Sequence, residues 1–196
     1  ADKKIGEFLT YLQSTGLWDQ LCIIITSDHG EEFNEHGSYL HWQLYYRQDL
    51  HVPLIMHIPG YSQREIRISE LTQSIDLLPT ILEIAGLPSH LKAQGRSLIP
   101  LITQNASFFN RSIQHIARTF KKNENAAYSE RETCFTEVQD LSIIRDGYQL
   151  IYNLKSGSTQ LYNITIDKYA QNDIAKDHVD ITKSLLTELK KAYSST

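Results

Sequence analysis

The run LCIIIT, residues 21 to 26, ends abruptly in SDHGEEFNEHGSYLHW. An apolar run without alternation marks a strand covered on both faces, as in the parallel sheet of an α/β protein. A second such run, HVPLIMHI at 51 to 58, is closed by Pro59-Gly60. Between the two lie about 25 residues with few helix or strand signals, and a loop that long inside a compact domain is uncommon unless it is functional. The two runs predict a layered α/β arrangement and single out one loop as the place for chemistry.

The flanking segments fit such layers. ADKKIGEFLTYLQSTGLW predicts an amphipathic helix with Ile5, Phe8, Leu9 and Leu12 on one face and Gly16 as its stop. It carries no signal-peptide pattern, and a chain opening in mid-helix is expected to be cut from something longer. SIDLLPTILEIAGLP predicts a second helix, with Ser74 or Asp76 as cap, Pro79 in the first turn, Leu78, Ile81, Leu82 and Ala85 as its stripe, and Gly86 with Pro88 at its end. From about 126 the period changes. ETCFTEV, LSIIRDG, YQLIYNL and TQLYNIT are short β-rich runs between turn signals, the pattern of an antiparallel meander. A last helix, DITKSLLTELKKAY, would cover it with Ile181, Leu185, Leu186 and Leu189. The expected organisation is a catalytic α/β part over 1–104, a connector over 105–125 and a small subdomain over 126–196 that serves as scaffold.

Composition narrows the function. With 41% hydrophobic and 21% charged residues over 196 positions the chain is an ordinary globular one, without repeats. Its formal charge is -4 and its Lys and Arg are dispersed, so the basic footprint of a nucleic-acid binder is missing. No apolar stretch approaches the roughly 20 residues of a membrane span. The two cysteines, Cys22 and Cys134, form neither a disulfide framework nor a metal-ligand spacing.

Asp28 and His29 stand where the first strand leaves the sheet, the place where open α/β sheets bind ligands. In a continuing strand they would face opposite ways. Gly30 permits a sharp turn that lets a carboxylate oxygen and an imidazole nitrogen converge on one ion. An Asp-His pair suits Zn²⁺, Mn²⁺ or Fe, while oxygen ligands from elsewhere would admit Ca²⁺ or Mg²⁺. An Asp at a strand end is by itself commonly a turn residue. His36 and His41, in the same loop before the chain re-enters the sheet, tip the balance towards a site. His41 is a candidate to hold a substrate oxygen or a second metal, or to act as general acid. For His36 a catalytic role and a loop-ordering hydrogen bond are equal readings. Glu31 and Glu32 are read as a supporting partner of the ligands and a solvated charge, and His51 and His57 as structural.

SDHGEEFNEHG, H-W-Q-L-Y, HVPLIMHIPG, SIDLLPTILEIAGLP and QGRSLIPLI, in that order, resemble the C-terminal half of sulfatases, within the alkaline phosphatase superfamily. SIIRDGYQLIYNL and QLYNI are similar to the segment of the family's small C-terminal subdomain. The resemblance spans nearly the whole chain outside 103 to 125. It implies an alkaline-phosphatase-like α/β/α sandwich followed by a small antiparallel sheet with a C-terminal helix, and a sulfuric ester hydrolase of the arylsulfatase kind. It also implies Asp28 and His29 as metal ligands. Many arylsulfatases have Asn where His29 stands. The Asp-His version is similar to phosphonate monoester hydrolases and phosphoethanolamine transferases, and goes with Mn²⁺ or Zn²⁺ more than with Ca²⁺. His41 departs from a Lys that sulfatases commonly place against the sulfate.

The family's nucleophile, a formylglycine from a C-x-P-S-R motif or a Thr or Ser in phosphotransferase relatives, has no counterpart in these residues. It is expected in an N-terminal portion of the same enzyme, which would be this chain's partner alongside a small sulfate or phosphate ester. Two rival readings remain open: a phosphodiesterase, phosphonate monoester hydrolase or phosphoethanolamine transferase, and a non-catalytic metal-binding fragment. Asn105, Asn110 and Asn163 fit the glycosylation sequon, which signifies only in a secreted eukaryotic chain. Periplasmic, secreted and cytoplasmic settings all fit the sequence.

Overall fold

A computed structural model describes residues 1–37, 39–40, 45–61, 65–88, 93–104, 126–132 and 138–194. These fall into two compact units, one formed by 1–27, 53–69 and 75–120, the other by 28–52, 70–74 and 121–196.

In the first unit, helix α1 (Asp2–Ser14) precedes strand β1 (Ile23–Thr26), as its pattern predicts. β1 pairs with β4 (Leu54–His57), but antiparallel, with Ile23 opposite His57 and Thr26 opposite Leu54. The expected parallel arrangement is corrected here. Parallel neighbours need a crossover, usually a helix. The connection between β1 and β4 contains one helical turn, α2 (Arg47–Leu50), and brings the chain back in the reverse direction. Nor are the strands sealed on both faces, since Ile55 is 60% exposed. His57 stacks on Trp18 at 4.0 Å and its Nε2 lies 3.0 Å from the Trp18 carbonyl, the structural role expected for it.

Helix α3 (Leu77–Ile84) is anchored by polar atoms instead of by its apolar stripe. Leu78 and Ile81 are about half exposed, and Thr80 is fully buried. The Thr80 hydroxyl donates to the Asp76 carbonyl at 2.6 Å and accepts the Leu98 N–H at 2.9 Å. Asp76, expected as a cap, makes no side-chain cap bond to the helix. Its Oδ1 accepts the Arg96 N–H at 2.8 Å instead. A Cβ on Gly95 would sit 2.1 Å from the Ile75 carbonyl oxygen, so only glycine lets 95–98 lie against the helix start. The run Gln94-Gly95-Arg96-Ser97-Leu98 is thus a backbone clamp on α3, continued by helix α4 (Ile99–Gln104) with Ile99 and Leu101 buried.

The second unit is built on the expected meander: β5 (Ala126–Glu132), β6 (Val138–Arg145), β7 (Tyr148–Asn153) and β8 (Thr159–Asn163), in that spatial order and antiparallel throughout. The first strand lies earlier than the ETCFTEV run suggests. The polar AAYSERE segment is in the sheet because its backbone pairs with β6, from Ala126 opposite Arg145 onward; residues 133–137 lie outside the described ones. Asp146 and Gly147, at φ 49° and 81°, make the tight β6–β7 hairpin turn that an Asp-Gly pair favours. Helix α5 (Val179–Tyr193) packs Leu185 and Leu189 against Leu141, Ile143, Leu150 and Leu161.

Leu161 is fully buried in this cluster. Leu161→Ala should cost about 2–5 kcal/mol of stability, read as a shift of the urea unfolding midpoint followed by far-UV circular dichroism.

Candidate metal centre

The loop that leaves β1 belongs to the second unit, so its geometry is set by the C-terminal sheet and the turn after it. Immediately past the strand, Asp28 Oδ1 accepts the His29 N–H at 3.0 Å, and its side chain is 87% exposed. His29 Nδ1 lies 2.7 Å from the Gly30 carbonyl oxygen. A carbonyl can only accept, so this contact selects the tautomer with the proton on Nδ1 and the lone pair on Nε2. Nε2 stands 3.8 Å from Asp28 Oδ2. Two donors each about 2.1 Å from one tetrahedral ion are about 3.5 Å apart, so a small rotation of the exposed Asp28 side chain brings both to one ion. The bond to Gly30 raises the His29 pKa, burial opposes it, and the negative charges of Asp28, Glu31 and Asp49 add to the rise. A tautomer fixed by a backbone carbonyl is the usual support of a metal-binding histidine. Two donors do not complete a shell, and among the described residues no group of three or more His, Cys, Asp or Glu converges on one point.

Gly30 serves the site in a different way from the turn expected of it. Its φ is not positive. What it provides is proximity: its N–H donates to the Asp49 carbonyl at 2.7 Å, and a Cβ on it would lie 1.9 Å from the Gln48 carbonyl oxygen. The metal loop thus rests directly on the backbone of α2.

Strands β2 (Glu32–Phe33) and β3 (Tyr39–Leu40) form a short antiparallel ribbon that holds His36 near its turn. His36 Nδ1 is 2.5 Å from Glu32 Oε1, and Nε2 is 3.0 Å from the Ala170 carbonyl. The ring lies flat on Tyr46, centroids 3.5 Å apart at an interplanar angle of 3°. Both ring nitrogens are engaged, and they join the loop to the segment after β8. Of the two readings of His36, this geometry favours the ordering one. Glu32, expected as a solvated charge, is 1% exposed and is the counter-charge of that pair. Further ties fix the same loop: Gln149 Nε2 donates to the Tyr45 carbonyl at 2.6 Å, Gln48 Nε2 to the Tyr169 carbonyl at 3.0 Å, and Gln171 Nε2 to the Glu35 carbonyl at 3.2 Å. His41 lies outside the described residues.

The sequence signals Asp28, His29 and His36. It does not signal Ala170, which adopts φ 51° while fully buried, nor the burial of Asp49, whose charge acts on His29. Both follow from contacts between distant segments, and no local pattern marks them.

Residues 1–87 match the family model Sulfatase. Arylsulfatase K of Rattus norvegicus is 28% identical over 98% of this chain and 33% of its own length. The Bos taurus protein of the same name is 36% identical over 50% of this chain and 18% of its own. The multifunctional alkaline phosphatase superfamily protein PehA of Trinickia caryophylli is 28% identical over 90% of this chain and 34% of its own length. Among solved structures, a protein in complex with its substrate D-glucosamine-2-N,6-O-disulfate superposes with a TM-score of 0.72 at 24% identity, covering 98% of this chain and 38% of that one. The phosphonate monoester hydrolase of Agrobacterium radiobacter superposes at 0.70 with 20% identity, covering 99% and 39%. At these identities the structures speak for the fold alone, an α/β one. Residues 1–87 are thus similar to the sulfatase family, whose members generally use a divalent metal ion, and the likeness to arylsulfatase K runs on over nearly the whole chain. The chain spans about a third of the length of the curated relatives it matches.

Gly30→Ala should displace the 28–30 turn from α2. If Asp28 and His29 contribute to a metal shell, calorimetric titration of the intact protein with Mn²⁺ and Zn²⁺ is expected to show weakened binding in this variant while circular dichroism keeps the wild-type trace. His36→Leu should leave Glu32 buried without its counter-charge, lowering stability by about 3–5 kcal/mol in urea unfolding.

Proposed function

We propose that this chain is the C-terminal portion of a sulfatase-like, metal-dependent hydrolase of sulfate esters. In that reading 1–104 belongs to the catalytic α/β domain, 105–125 is a connector and 126–196 is the small C-terminal subdomain. Asp28 and His29 are the chain's contribution to the metal shell, and the remaining ligands and the nucleophile come from residues outside these 196. The observation that carries it is the pair at the end of β1: a carboxylate and an imidazole 3.8 Å apart, the imidazole's tautomer set by Gly30. The mixed oxygen and nitrogen donor set favours Mn²⁺ or Zn²⁺ over Ca²⁺.

When bound, the ion would supply a Lewis acid and lower the pKa of a coordinated hydroxyl. The chain's own residues orient and hold. Gly30 fixes His29, α2 supports Gly30, and His36 pins the ribbon to the segment after β8. His41, from its place in the sequence, is the candidate to stabilise the transferred group or to protonate the leaving oxygen. An ester of sulfate or phosphate is the substrate class.

A second reading is a phosphodiesterase or phosphonate monoester hydrolase. It rests on the histidine at position 29, and the likeness to the Agrobacterium radiobacter and Trinickia caryophylli proteins supports it. Aryl sulfate, bis-aryl phosphate and a phosphonate monoester assayed side by side separate the two. In the intact protein Asp28→Ala should reduce turnover at least about a thousandfold and release the metal, measured by plasma emission, while the unfolding midpoint stays within about 0.5 kcal/mol of wild type. Retained activity in Asp28→Ala would falsify the assignment, and metal retention without turnover in the intact wild type would favour a non-catalytic binding domain.

A further inference from the structure

The helical turn that supports Gly30 carries a second feature on its side chains. Arg47, Gln48 and His51, together with Lys168 and Tyr169 from the segment after β8, line an open cleft of about 230 Å³. All five belong to the same compact unit. Among the described residues neither Arg47 nor Lys168 has an ion-pair partner. Two cations gathered in one concavity without a counter-charge repel each other, and an anion between them removes that cost. Asp167, next in sequence to Lys168, accepts the Asn172 N–H at 2.8 Å, which turns its carboxylate to a backbone role.

Gln48 donates its Nε2 to the Tyr169 carbonyl, which fixes the amide, and its Oε1 is buried without a hydrogen-bond partner among the described residues. Fixed in this way, Gln48 holds the Tyr169 segment against α2 and so keeps the cleft's two sides together. His51 is held below the ordinary histidine range by burial and then by the charge of Arg47, so near neutrality it enters as a neutral imidazole able to donate one bond. The Tyr169 side, half exposed, supplies an apolar wall.

We infer that this cleft is an oxyanion site: Arg47, Lys168 and His51 take a sulfate, phosphate or carboxylate, and the Tyr169 side is a wall for the ring of an acidic sugar. α2 reaches the metal loop through the 2.7 Å bond from the Gly30 N–H to the Asp49 carbonyl. The site therefore suits a second anionic group of one substrate. That last step rests on the proposed hydrolase reading; the oxyanion site itself does not.

The test uses the full chain, ¹⁵N-labelled, in EDTA, so that the metal reading does not enter. Glucose 6-sulfate, glucose 6-phosphate and glucuronate are titrated in turn, with methyl glucoside as the neutral probe, and the amide shifts of Arg47, Gln48 and Lys168 are followed. At least one acidic sugar is expected to saturate these shifts and methyl glucoside is not; the ranking of the three names the preferred group. The double variant R47Q/K168Q should weaken binding about tenfold or more, and R47K/K168R should keep it, which separates lost charge from lost fold. Asp28→Ala should bind the sugar as wild type does, so that failure here and failure of the hydrolase reading are told apart. No saturation by any acidic sugar, equal response to methyl glucoside, or less than twofold weakening in R47Q/K168Q would overturn the assignment.

Discussion

The pairing of Glu32 with His36 and the bond from His36 to the Ala170 carbonyl hold the rest of the site in place. Both partners of the pair are nearly sealed from solvent, with side-chain exposures of 10% for His36 and 0% for Glu32. A buried charge alone would be expensive, and the pair together tolerates burial only where every donor finds an acceptor. That condition ties three places in sequence to one another: the ribbon after β1, Tyr46 beneath the imidazole, and the turn that follows β8.

Order then passes from residue to residue over short distances. His36 and the glutamine bonds from Gln48, Gln149 and Gln171 seat the loop and α2 on the C-terminal sheet. α2 meets Gly30 where no side chain would fit. Gly30 turns the His29 ring by its carbonyl, and the ring presents Nε2 towards Asp28. The meander and its covering helix thereby act on the 28–37 loop through position. The same seating gathers Arg47 and Lys168, more than a hundred residues apart, into one cleft.

The clamp around α3 illustrates a similar economy. Asp76 and Thr80 use side-chain oxygens to satisfy the backbone N–H groups of Arg96 and Leu98, and Gly95 makes the approach possible. A helix whose apolar residues Leu78 and Ile81 stay half exposed is held by directional bonds at its start.

Much of this was legible in order and type. Apolar runs, an Asp-Gly turn and a leucine-faced last helix depend on neighbours in sequence, so the strands, the hairpin and α5 could be read locally, as could the placing of an Asp-His pair at a strand end. Strand direction could not be read so, because only the pairing of Ile23 with His57 and of Thr26 with Leu54 shows the second strand running in reverse. The roles of Glu32, Gly30, Asp76 and Ala170 were likewise invisible. Each depends on a partner 4 to 134 positions away, at the distances where a hydrogen bond forms or a Cβ collides. The sequence by itself determined which groups could do chemistry. The tertiary structure decided which of them are exposed for it and which, like His36, are consumed in holding the others still, because burial and bond partners are properties of contacts between distant segments.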